Sequence, residues 1–333
     1  MLEKTAAPLK THTYSLTVRG VFPAVLSAIL LGFTPIFGKL AIQNGVSPLF
    51  VVTIRTVLAT LFMAFTLLLT NRANFYIYPA GLMACALAGT LNGIGSLFYY
   101  LALSMINANL GQLIFLTYPV FVTLWMVFDH YKPSSVSLLR LALIVLGIVL
   151  LIYGIHTPVH LRGVLFMLIA AACYGLHLPV NQRVLYEMPA PTVTFYTLLF
   201  MSLAVIPSGL LIPQPLQLSP EKSFELLPLF PVLALALVTF LSRLTLFLGV
   251  KRIGGLQTAL LGVTELLVTL TLAKVWLNES FSIVQWIGAL SILVSLLLIG
   301  LEKPPQRRTA KPTILHWLQH PPSKEPPTPP LID

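Results

Sequence analysis

An all-α integral membrane protein with ten transmembrane helices is the fold class this sequence predicts, on three observations. Only 9% of the residues are charged and mean hydropathy is +0.89, whereas an ordinary soluble domain carries about 25% charged residues. The apolar runs are long and numerous, and about 20 such residues cross a bilayer. The runs are continuous, where a membrane β-barrel would alternate apolar and polar residues.

Ten apolar segments follow a polar stretch at 1–19: 21–42, 47–70, 77–101, 107–128, 136–156, 162–185, 192–212, 228–250, 255–277 and 283–301. Short turns such as Gln43–Val46 and Ala102–Ile106 join most of them and predict antiparallel neighbours. A longer, Pro-containing loop runs near Pro213–Leu227. From Glu302 onward nine prolines accumulate, a composition that predicts a disordered tail. The first segment is long enough to span and follows about 20 mostly polar residues, so no cleavable signal peptide is expected.

The net charge of +10 would point a soluble protein to nucleic acid. In a membrane chain Lys and Arg gather in cytoplasmic loops instead, and no nucleic acid partner is expected. With the N-terminus inside, the cytoplasmic face receives Arg72, Lys132, Arg140, Arg183, Lys251, Arg252 and both basic tails. The other face receives little beyond Arg162 and Lys222. Both termini are therefore expected in the cytoplasm, with the plasma membrane (the bacterial inner membrane) as the location. Cys85 and Cys173 both lie in apolar runs and read as packing residues; no metal site or cofactor is expected.

The chain aligns with itself. A shift of 143 places Gly20, Val21, Ala28, Gly32 and Pro48 on Gly163, Val164, Ala171, Gly175 and Pro191. A shift of 147 places 98–152 on 245–299 without a gap. Two five-helix units result, 20–156 and 162–301, with tails at 1–19 and 302–333. Five is odd, so the second unit enters the membrane from the opposite side, an inverted repeat of the kind that puts a substrate site at the midplane of secondary transporters.

Leu237–Leu277 holds the sharpest chemistry. Arg243 and Glu265 each sit deep in an apolar run on either side of the turn at Lys251–Gly254. At about 1.5 Å per residue their depths differ by roughly 6 Å. A charge at that depth normally faces a partner or a wet cavity, so the two are expected to pair in one conformation. Glu265 could also bind a proton, a cation or an amine, which leaves proton coupling open. Arg55 is the other deep cation. It could hold a carboxylate or phosphate, or simply pack and bond backbone carbonyls. Lys39, near the end of the first segment, is expected to snorkel. Asn92, Tyr100, Gln112 and Tyr118 are the leading polar candidates in the third and fourth segments, with Tyr99, Asn107 and Asn109 beside them; His177 and Trp276 are weaker.

Four stretches together resemble a known family: LLGFTPIFGKLAIQNGVSPLFVVTIR at 30–55, FYYLALSMINANLGQLIFLTYPVFVTL at 98–124, VTELLVTLTLAKVWLNESFS at 263–282 and WIGALSILVSLLLIG at 286–300. They resemble the EamA-type members of the drug/metabolite transporter superfamily, over residues 20–301. The resemblance implies ten helices in two repeats, a central cavity lined by the third, fourth, eighth and ninth helices, and transport of small metabolites, often outward. One departure stands out: the family often has Pro after the acid of the ninth helix, and here Leu266 follows Glu265.

Other classes fare worse. No HExxH, paired intramembrane carboxylates or Ser-His-Asp set is present, so no enzyme is expected. No P-loop couples ATP. A scaffold would need neither a repeat nor midplane charges. A passive facilitator or channel is the nearest alternative to a coupled carrier, and a homodimer stays open. The expectation is a secondary transporter moving a small organic metabolite, with Arg243, Glu265, Arg55, Asn92, Tyr100, Gln112 and Tyr118 as substrate or ion ligands. The excess of deep cations favours a carboxylate on that metabolite.

Overall fold

The computed structural model describes residues 18–128, 131–132, 134–153, 160–211, 230–253, 262–279, 282–301 and 306–307. Eleven α-helices run through them: α1 Val18–Gln43, α2 Pro48–Thr70, α3 Pro79–Met105, α4 Ala108–Phe115, α5 Tyr118–Phe128, α6 Ser135–Tyr153, α7 Leu161–Leu185, α8 Ala190–Leu211, α9 Phe230–Ile253, α10 Gly262–Trp276 and α11 Ile283–Leu297. Eight spans are long and apolar enough to cross a bilayer, α4 and α5 counting together as Ala108–Trp125. The expected ninth and tenth spans appear as α10 and α11. Each is fifteen residues in its described part, about 22 Å against roughly 30 Å of hydrocarbon; residues 254–261, before α10, lie outside the described residues.

The break between α4 and α5 has a local cause. Pro119 has no N–H to donate back into α4, and it sits in the first turn of α5, where none is needed. Leu116 and Thr117 close α4 instead, with Thr117 N–H and Oγ1 both donating to Ile114 O, at 3.1 and 2.6 Å. A discontinuous helix therefore lies beside Gln112 and Tyr118.

Packing is densest within two bodies, which α2 joins. α1 lies along α9 and α10, and α3 along α7 and α8, while α1 meets α3 and α7 meets α9 only sparsely. α2 packs on α8 and α9; α6 packs on α11. Two glycines set the closest approaches. A Cβ on Gly32 would lie 2.7 Å from Val268 Cβ and 2.9 Å from Glu265 O, and one on Gly175 would lie 2.7 Å from Tyr118 O. Only a residue without a side chain fits such a crossing. Gly32 and Gly175 are partners under the shift of 143, and Tyr118 and Glu265 under the shift of 147, so matched residues make matched contacts.

Apart from helix, Tyr131–Lys132 (β1) and Gln306–Arg307 (β2) form a two-residue antiparallel pair, Tyr131 opposite Arg307. The second strand falls within the stretch expected to be disordered. The rest of both tails, with the 313–318 apolar run, and the loop at 212–229 lie outside the described residues.

Candidate functional site

All seven candidate residues are buried: Arg55, Asn92, Tyr100, Gln112, Tyr118, Arg243 and Glu265. They come from α2, α3, α4, α5, α9 and α10, and a continuous chain of contacts joins them. Glu265, in the first turn of α10, is fixed by Gln112, whose Nε2 donates to Oε1 at 2.6 Å. Tyr99 OH donates at 3.4 Å to the Gln112 carbonyl. Tyr99 in turn meets Tyr100 edge-on, ring centroids 5.3 Å apart. The Arg55 guanidinium lies over the Tyr100 ring at 4.7 Å and donates at 3.1 Å to both Thr239 Oγ1 and Ser96 Oγ. Arg243 donates at 3.4 Å to Asn92 Oδ1 and sits 5.4 Å from the Tyr174 ring. Tyr174 closes the loop against Tyr118 and Phe115, each 5.0 Å away.

The expected Arg243–Glu265 pair is absent here. The carboxylate turns to α4 and the guanidinium to α3. Arg55 does more than pack: it bridges α2, α3 and α9. Lys39 does not snorkel. Its ammonium turns back and donates to Leu103 O and Ile106 O at 2.7 and 2.8 Å.

Three residues at the site escaped the sequence reading. Each lies one helical turn from a residue already singled out, Ser96 from Asn92 and Tyr100, Thr239 from Arg243 and Tyr174 from His177, and that spacing is the signal that could have found them. His177, on α7 beside Tyr174, is fully buried; its Nδ1 lies 2.6 Å from Tyr174 O.

The electrostatics of the cluster are unbalanced. Arg55 and Arg243 are 4% and 7% exposed, and Glu265 is the only buried carboxylate among the described residues. That carboxylate is engaged by Gln112. Arg55 Nε, Arg243 NH1 and Tyr100 OH have no hydrogen-bond partner. Buried donors are nearly always satisfied, and a buried cation is costly unless paired. The cluster can thus receive hydrogen-bond acceptors and negative charge. Among the described residues no group of His, Cys, Asp and Glu could hold a metal ion.

The model of the EamA-like transporter family matches residues 18–153 and again 161–301. The chain belongs to that family. A curated relative, named uncharacterized transporter sll1319, of Synechocystis sp., is 26% identical over 219 residues. That match takes in 61% of this chain and 62% of the relative, so the chain spans under two thirds of its length. A solved crystal structure shares the fold, with a TM-score of 0.57 at 17% identity over 83% of this chain and 96% of that one. The protein is a multi-pass membrane protein of that family.

Proposed function

We propose that the protein is a secondary transporter that moves a small carboxylate-bearing organic metabolite outward across the plasma membrane by alternating access. The observation that carries this reading is the pair of buried arginines, each with an unpartnered N–H, around Tyr100. A substrate carboxylate would supply the missing acceptors and charge. Glu265, held by Gln112 across the α4–α10 contact, is placed to exchange a proton as that contact opens. The matched Gly32–Glu265 and Gly175–Tyr118 crossings support an inverted-repeat reading, the Lys/Arg asymmetry supports cytoplasmic termini, and a broken helix beside a midplane site is a recurrent transporter device.

Counterflow in proteoliposomes tests it. Vesicles loaded with a mixture of unlabelled organic acids should transiently accumulate labelled acid from outside, since only a carrier exchanges substrate against its gradient. Equilibration without accumulation would favour a channel-like facilitator, and no flux of any organic acid from well-folded protein would favour a scaffold. A metabolite-export screen of deletion and overexpression strains would identify the substrate. Glu265→Gln should remove the pH dependence of flux while leaving the protein in the membrane.

A further inference from the structure

Along the seam where α1 faces α3, direct packing is slight, and charged side chains that the central site does not use bridge it at one end. At the end of the membrane where α1, α3 and α10 finish, the chain turns from α3 into α4 at Ile106–Asn107. That turn leaves orphan carbonyls at the α3 C-terminus and orphan amides at the α4 N-terminus. Asn107, the N-cap of α4, makes no side-chain capping bond. Both sets are satisfied from the other body. Lys39 of α1 donates to Leu103 O and Ile106 O at 2.7 and 2.8 Å. Glu279 accepts from Ala108 N–H and Asn109 N–H at 2.8 and 2.9 Å, one with each carboxylate oxygen. Asn278 aims Glu279: its φ of +53° turns the chain, and Glu279 N–H donates back to Ala273 O at 3.1 Å. Asn tolerates this left-handed conformation better than most residues.

We propose that Lys39 and Glu279 form a latch that holds the seam closed at this face, and that the latch must release before the central site opens there. Four charge-assisted bonds cross the seam at one point, where direct packing of α1 on α3 is slight. Parting α1 and the end of α10 from the α3–α4 turn must break all four. The internal repeat cannot reproduce the device at the opposite face. The shift of 143 sets Gln182 where Lys39 stands, and the shift of 147 sets Lys132 where Glu279 stands. Gln182 donates instead to Tyr186 OH at 3.2 Å, and a lysine accepts nothing from an amide. The latch therefore weights the conformational equilibrium toward the state closed at the Lys39–Glu279 face, because only contacts that differ between two states can shift them.

The test reads accessibility and needs no substrate, although the transport meaning of the latch rests on the function proposed above. The reporter is Asn109→Cys with Cys85→Ala and Cys173→Ala, in nanodiscs, labelled by a membrane-impermeant maleimide. Position 109 is buried under Glu279, and its amide, which the latch uses, is kept. Adding Lys39→Met or Glu279→Ala should each speed labelling at least about 5-fold. Glu279→Gln, which keeps an acceptor, should change it less. The native thiol of Cys85, fully buried in a separate packing cluster, is the control, read with Cys173→Ala alone. Faster labelling at 109 with Cys85 unchanged supports the latch. Unchanged labelling at 109 overturns it, as does an equal rise at both positions, which would mean general loosening. Loss of counterflow with the labelling pattern intact would instead remove the carrier reading and leave the latch standing.

Discussion

The centre of the molecule and the end of its seam both bury charge, and they treat it in opposite ways. At the seam, Lys39 and Glu279 each make two bonds to backbone groups that nothing else satisfies. At the centre, Arg55 and Arg243 keep unpartnered N–H groups beside an unpartnered Tyr100 hydroxyl. A saturated charge holds structure; an unsaturated one costs free energy unless something else completes it. The difference separates residues that hold a conformation from residues that await a ligand.

The largest expected effect comes from replacing a central cation. Arg243→Met should cut transport by at least about 30-fold, the loss expected when one partner of a buried, hydrogen-bonded charge pair with substrate is removed, at about 2 kcal/mol or more. It should not lower the thermal midpoint in detergent and could raise it, because apolar replacements of imperfectly paired buried charges are often neutral or stabilising. A large fall in midpoint would mean that Arg243 is a structural residue, and the contrast with the seam would fail.

The seam should answer in reverse. Glu279→Ala leaves two α4 amides without an acceptor, a loss of about 1–3 kcal/mol. The thermal midpoint should drop by a few °C, with some counterflow retained. An unchanged midpoint would show that water replaces the carboxylate at no cost.

A smaller effect concerns Arg243 and Glu265. Because they do not pair in this conformation, a double-mutant cycle of Arg243→Ala and Glu265→Gln on thermal stability should give a coupling below about 0.5 kcal/mol. Gln112→Ala combined with Glu265→Gln should couple more strongly, since those side chains meet at 2.6 Å. A large Arg243–Glu265 coupling would show that the paired conformation dominates in solution.

Depth along a helix was legible in the sequence, and direction around it was not. The apolar runs place Arg243 and Glu265 at similar heights, and the glycines at 32 and 175 mark the crossings that the structure makes. In a helix that is apolar all round, though, no polar stripe tells which neighbour a charge will face. Glu265 therefore turned to Gln112 rather than Arg243, and Tyr174, though one turn before His177, could not be assigned to Tyr118 from the sequence. Lys39 was legible as a residue at a helix end. That it caps α3 rather than reaching for water depends on where the α3–α4 turn lies in space. The α4–α5 break is the middle case: Pro119 marks it once the helix is known, and the matching position in the second half has Leu266.

The finest test of the contrast is the pH response of the latch. Burial pushes the Glu279 carboxyl above its ordinary range, opposed by the Asn109 and Ala108 amides and by Lys39, the charged group facing it from α1. In an open state, wetted by solvent, the carboxyl would return toward about 4.3. The clamped state then holds the proton more tightly than the open one. Lowering pH toward the raised value should favour the clamp, and raising pH through it should weaken the clamp. Labelling at the thiol from Asn109→Cys should thus rise with pH faster when Glu279 is present than in the Glu279→Gln variant. Taking the ratio of the two removes the thiol's own titration. The ratio should rise from pH 5 to pH 8, in the direction set by the raised carboxyl. A flat ratio would mean that Glu279 titrates alike in both states, and a ratio falling with pH would mean that the two amides and Lys39 favour the ionised carboxylate by more than burial penalises it.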